Sequence, residues 1–183
     1  AGLRSVFVNH NVVIDPDTFR PLSAVTKRHD AVYDARTSAF KRHELAAGID
    51  SLALIAGYLP MRGLHDDVYT RRIRQLLDGA HWYNDPYSPD YRYLTPPEVN
   101  QALNECRVGL CLSAEEGAMR ASMQYLLAGL PIVSTRSKGG RDAFFDPDYA
   151  LVVDDDPQAI ARAVQEMIGR NIPPETIRAR TLE

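Results

Sequence analysis

Apolar positions in this chain come in short unbroken runs separated by polar turns and by segments of helical periodicity. Residues 108–112 are Val-Gly-Leu-Cys-Leu, and the run breaks at 113–117, Ser-Ala-Glu-Glu-Gly. A helical segment starts near Ala118 and ends at Gly129, before a second apolar run at 131–135. Runs without alternation suit strands buried on both faces, so the order is strand, polar turn, helix, strand. In a parallel sheet the carboxyl ends of strands and the amino ends of the following helices share one edge. Polar residues of this stretch therefore border the crevice where ligands bind in such sheets.

The same alternation runs through the chain. Strands are predicted at 5–9, 30–35, 51–56, 80–83 and 150–153. Helical segments are predicted at 42–49, 66–77, 95–106, 140–145 and 156–168, with another after Pro173-Pro174. Thr95-Pro-Pro-Glu98 fits a capping box, and Asp156-Pro157 fits a helix start. Residues 9–21 are punctuated by prolines and form a connection, while 84–93 reads as loop with at most one short strand. The expected fold is α/β, a doubly wound Rossmann-like parallel sheet of five or six strands with helices on both faces. The abrupt opening on a strand suggests a domain excised from a longer protein.

Composition narrows the function classes. A chain of 183 residues with 45% hydrophobic content can bury one core. The net charge of -3 and the scattered basic residues give no nucleic-acid footprint. Cys106 and Cys111 suit buried reduced thiols, which points to the cytoplasm; any membrane association would be peripheral, since no run approaches the length of a span. The five histidines show no ligand spacing, and the acidic run 154–156 suits helix capping, so no metal or other cofactor is expected.

The candidate chemistry falls into two clusters. Glu116 lies at the strand-to-helix turn, with Gln124 eight residues later, so both can face one ligand. Gly117 permits close backbone approach, and the amides of Ala118, Met119 and Arg120 are the expected unpaired donors at the helix start. Taken alone, Glu116 equally suits a charge on the helix dipole and Gln124 an exposed helix former. Arg36 and Lys41 follow the strand at 30–35 and can clamp a diphosphate, although cations at a strand end are often solvated surface charges. Met119 and Met123, with Leu126 and Leu127, recur at core spacing.

Taken together, Ser113-x-x-Glu116-Gly117, the run Gln124 to Thr135 with Gly129 and Pro131, and Gly139-Gly140 resemble the carboxyl-terminal domain of GT-B retaining glycosyltransferases of the family 4 type. Arg36-x-x-x-x-Lys41 is similar to that family's paired arginine and lysine. Asn9 to Pro21 resembles its connection between two domains, and Gln124 stands where the family usually has glutamate. The resemblance implies that residues 1–24 are the interdomain connection with a first strand. It implies that 25–183 are the Rossmann-like half of a GT-B fold that binds a nucleotide-diphospho-sugar, UDP- or GDP-linked, and that an amino-terminal domain, outside this chain, carries the sugar, lipid or other small acceptor. By this resemblance Arg36 and Lys41 meet the diphosphate, Glu116 and the amides after it the sugar, and Gln124 the ribose, with Ser113 in the same motif and Asp142 as support. The domain alone is then expected to bind donor weakly and not to turn over. Two alternatives stand beside this: a doubly wound regulatory module without transfer chemistry, and a GT-B nucleotide-sugar epimerase or phosphorylase.

Overall fold

The computed structural model describes residues 9–57 and 67–183. Its centre is a parallel sheet of six strands: β1 (His29–Arg36), β2 (Leu52–Gly57), β3 (His81–Asn84), β4 (Cys106–Cys111), β5 (Ile132–Thr135) and β6 (Ala150–Val153). The spatial order is β3-β2-β1-β4-β5-β6. The α-helices are α1 (Asp67–Leu76), α2 (Pro96–Asn104), α3 (Arg120–Leu127), α4 (Pro157–Arg170) and α5 (Pro174–Leu182). The expected strand at 5–9 lies, apart from Asn9, outside the described residues, as does Asp66.

The unbroken apolar runs are strands because the sheet is covered on both sides. Ala31, Val32, Tyr33, Ala53, Val108, Leu110, Ile132 and Val133 are fully buried, whichever face their side chains take. Right-handed crossovers put the connections from β1 to β3 on one face and those from β3 to β5 on the other. The second group includes α2 and α3, and α5 packs on α3; α4 closes the first face, against β1, β4 and the turn at His43–Ala46. The strand order reverses between β1 and β4, so the connections leaving these neighbours diverge and open a crevice at the carboxyl edge.

Two expectations are corrected. The helical run at 42–49 is replaced by two 3₁₀ turns, Ala39–Lys41 and His43–Ala46, separated by Arg42 in the left-handed region at φ 53°. Arg42 is held there by its own side chain. Its Nε donates to the Leu112 carbonyl at 2.7 Å, and its two Nη groups reach Thr135 Oγ1 at 2.7 Å and Asp155 at 2.5 Å. The helix placed from Ala118 starts instead at Arg120, with Met119 as its N-cap residue. Elsewhere the boundaries agree within one or two residues, and the loop at 84–93 contains no strand beyond Asn84.

Tyr125 on α3 presses its ring onto β4 at Gly109, where a Cβ would come within 2.3 Å of the ring. The Tyr125 hydroxyl then accepts from the Asp34 amide at 2.7 Å. One glycine thus lets α3 lie close to both strands at the switch point. Gly109→Ala is expected to lower the unfolding free energy by roughly 1–3 kcal/mol through overpacking, measured by urea denaturation; an unchanged midpoint would mean that the ring moves freely.

Candidate functional site

A cavity of about 340 Å³ opens at the carboxyl edge between β1 and β4. From β1 and the turn after it come Asp34, Ala35, Arg36 and Lys41. From the loop after β4 and the first turns of α3 come Glu116, Ala118, Met119, Arg120, Ala121 and Gln124. Seven of the residues singled out from sequence therefore border one space: Arg36, Lys41, Glu116, Ala118, Met119, Arg120 and Gln124. The later helix start moves the leading donors to the amides of Arg120 and Ala121, because the first turn closes with Ser122 N–H donating to the Met119 carbonyl at 3.2 Å. Met119 is a wall residue whose side chain is buried, and Met123, Leu126 and Leu127 are core.

Ser113 and Gly117 stand outside the lining. Ser113 is fully buried; its hydroxyl lies 3.4 Å from that of Tyr33, and its carbonyl accepts from Arg141 Nη1 at 2.7 Å. A side chain at Gly117 would meet nothing within 4 Å. The close approach belongs to Gly139, whose Cβ would fall 1.9 Å from the Glu116 carbonyl and whose φ is +118°. Gly140 likewise faces the Gly117 carbonyl at 2.7 Å. The 138–140 loop docks here by hydrogen bonds of 3.0 Å from Glu116 N–H to the Lys138 carbonyl and from Lys138 N–H to Ala114. Asn9 and Asn11 tie the connecting segment to the same place, donating at 3.1 Å to the carbonyls of Gly140 and Met119.

Beneath the docked loops lies Arg141, with no solvent exposure. Its guanidinium donates to the Ser113 carbonyl, to Ser134 Oγ at 2.9 Å and to the Thr135 carbonyl, and its Nε reaches Asp142 at 3.2 Å. The sequence pattern does not mark Arg141, Arg42 or Asn11 for these roles, and Asn9 stands in it only as the start of the connection. Position 141, directly after the double glycine, was the available signal.

The electrostatics of the cavity are mixed. Lys41 and Glu116 form an ion pair with each other, at 11% and 15% side-chain exposure. Arg36 and Lys41 both lie over the ring of Phe40, at 5.5 and 4.9 Å. Burial pushes the Asp34 carboxyl up to about 6 although Lys41 and Arg120 oppose the shift. Behind β1, burial with the Lys41 charge pushes His43 down to about 3, its backbone amide donating to the Tyr69 hydroxyl at 2.8 Å. The acidic run is accounted for locally, since Asp156 caps α4 through the Ala159 amide at 2.9 Å and Asp155 meets Arg42.

A family model described as glycosyl transferases group 1 matches residues 66–170, more than half of the sequence. The chain belongs to this family. Comparison with curated proteins finds no match. Among solved structures, a sucrose-phosphate synthase from Thermosynechococcus elongatus superposes with a TM-score of 0.68 at 18% identity, covering 92% of this chain and 44% of that one. The C-terminal domain of the group 1 glycosyl transferase LpcC from Francisella tularensis gives 0.65 at 11%, covering 92% and 96%. HepE from Anabaena, in complex with UDP, gives 0.67 at 13%, covering 92% and 49%. At these identities the likeness is one of fold, that of a Rossmann-like GT-B domain. This glycosyltransferase domain spans under half of the synthase and of HepE.

Two measurements probe the scaffold of the site. Arg141→Met should cost roughly 3 kcal/mol by stranding buried acceptors, with urea unfolding as the readout. The second is a pH profile. His43, whose folded pKa lies below its unfolded value, contributes stability that is lost as pH falls below 6.5. Asp34, whose folded pKa lies above 3.8, contributes in the opposite sense as pH falls through 6. Between pH 6 and 5 the two offset each other, so Asp34→Asn should uncover a loss of about 1.4 kcal/mol per pH unit that the unsubstituted protein lacks. Equal slopes would show that Asp34 is not protonated in the fold.

Proposed function

We propose that this chain is the donor-binding, carboxyl-terminal half of a GT-B retaining glycosyltransferase of the family 4 type. Residues 25–183 form that domain and 1–24 its connection to the other. The observation that carries this reading is the gathering of Arg36, Lys41, Glu116, Gln124 and the amino end of α3 around one cavity at the point where the strand order reverses. Arg36 and Lys41 take the diphosphate of a nucleotide-diphospho-sugar, the arginine as a planar fork and the lysine as a point charge. Glu116, with the amides at the start of α3, addresses the transferred sugar, and Gln124 hydrogen-bonds the ribose. Ser113 acts from beneath, setting the turn that carries Glu116.

Lys41 is engaged by Glu116. An arriving diphosphate competes for the lysine and frees the carboxylate for sugar hydroxyls, so one event readies both. When the bond from the anomeric carbon to the diphosphate oxygen breaks, its electron pair leaves with the diphosphate, where Arg36, Lys41 and the helix amides stabilise the charge. With cations supplied by side chains, the departure needs no metal. The acceptor hydroxyl comes from a sugar, lipid or other small molecule held by the second domain, so this half binds donor without turnover. No helix among the described residues is long and apolar enough to cross a membrane; the proposed setting is the cytoplasm, with any membrane contact peripheral.

Calorimetric titration of UDP, GDP, ADP and their sugars tests the assignment. One nucleoside diphosphate should bind saturably, and Arg36→Ala should weaken it at least tenfold, about 1.4 kcal/mol. Glu116→Ala should keep diphosphate binding and lose the extra affinity contributed by the sugar. Absence of binding by every nucleotide would favour a doubly wound interaction module, and sustained transfer by this chain alone would overturn its reading as half of an active site.

A further inference from the structure

One carboxyl in the donor cavity is unused by the roles above. Asp34, near the end of β1 and opposite Ile55 of β2, lines the cavity alongside Arg120 and Gln124. The other carboxylate, Glu116, is engaged by Lys41. Among the described residues no side chain or amide donates to the Asp34 carboxyl; its own backbone amide is taken by the Tyr125 hydroxyl at 2.7 Å. Its oxygens are open to the cavity, where a bound group can reach them, and burial pushes its proton affinity up although Lys41 and Arg120 oppose the shift.

A ligand group that meets this carboxyl must bring hydrogen-bond donors and carry no negative charge, because a phosphate beside it would be repelled. The charged groups around it in the cavity are Arg36 from the end of β1, Lys41 from the turn after it, Glu116 from the loop after β4 and Arg120 from α3. In a nucleotide sugar the diphosphate is flanked by two polyols, the transferred sugar and the ribose. Glu116, next to Lys41, serves the first. Asp34 faces the cavity from β1, and its own amide is tied to the Tyr125 hydroxyl of α3, the residue next to Gln124, so it serves the second. Building on the donor-site reading, we propose that Asp34 is a specificity-determining residue which, with Gln124, holds the vicinal hydroxyls of the donor's ribose. The carboxylate accepts from one hydroxyl, and the Gln124 amide pairs with the other. An acid that accepts from a hydroxyl rejects the analogue lacking it, because the acid is then left unpaired.

The test is titration of UDP, GDP and ADP, each beside its 2′-deoxy and 3′-deoxy counterparts, against unsubstituted protein, Asp34→Ala, Asp34→Asn and Arg36→Ala. For the nucleotide that binds, the unsubstituted protein should prefer the ribose form over at least one deoxy form by about tenfold or more. Asp34→Ala should reduce that ratio to near one while binding the deoxy form as tightly or more tightly. Arg36→Ala should weaken all forms alike and keep the ratio. Asp34→Asn, isosteric and uncharged, should melt higher at pH 7, the reverse of what a structural carboxyl would do. A ratio unchanged by Asp34→Ala, or an equal loss for ribose and deoxy forms, overturns the assignment and leaves the donor site standing. Failure of every diphosphate to bind overturns both.

Discussion

A guanidinium shut away from solvent holds the edge on which the cavity is built. Strands β4 and β5 end at the carboxyl edge, where backbone acceptors run out of ladder partners. Arg141 takes the Ser113 and Thr135 carbonyls with Ser134 Oγ, and Arg42 takes the Leu112 carbonyl with Thr135 Oγ1. Two forks thus satisfy one edge from two directions, a task that a lysine's single point of charge would not perform. With that edge secured, the 113–117 turn has a defined position, and Gly139 lets the opposing loop close on the Glu116 carbonyl. The place of Glu116 in the cavity follows from these contacts.

Topology supplies the rest of the site. Because β1 and β4 are neighbours whose connections leave toward opposite faces, the cations after β1 and the amino end of α3 meet over a gap. The gap holds three cations and two acids, Arg36, Lys41 and Arg120 against Asp34 and Glu116. That composition suits a ligand with an anionic centre and hydroxyl-rich flanks better than a plain anion. Keeping Asp34 there works against stability near neutral pH, as sites shaped for ligands commonly do.

Much of this was legible in the chain. The apolar runs located all six described strands, Gly129 and Pro131 marked the end of α3 and the start of β5, and Asp156 was identified as the cap it is. Seven of the nine proposed site residues line one cavity because strand ends and helix starts of a parallel sheet share an edge. Ser113 was legible as part of the motif but not as a buried support. Asp34 could be seen only as a polar residue interrupting a strand, since nothing local shows whether such a residue has a donor.

Sequence by itself determined the order of elements, the parallel sheet and the edge on which chemistry gathers, because periodicity and turn residues are local properties of the chain. Tertiary structure alone decided the break at Arg42, the start of α3 at Arg120, the Lys41–Glu116 pair and the burial of Arg141. Each of these depends on partners brought together by folding: Lys41 and Glu116 are 75 residues apart, and Arg42 and Asp155 are 113 apart. A charge finds its partner through space, and the pattern along the chain carries no record of that distance.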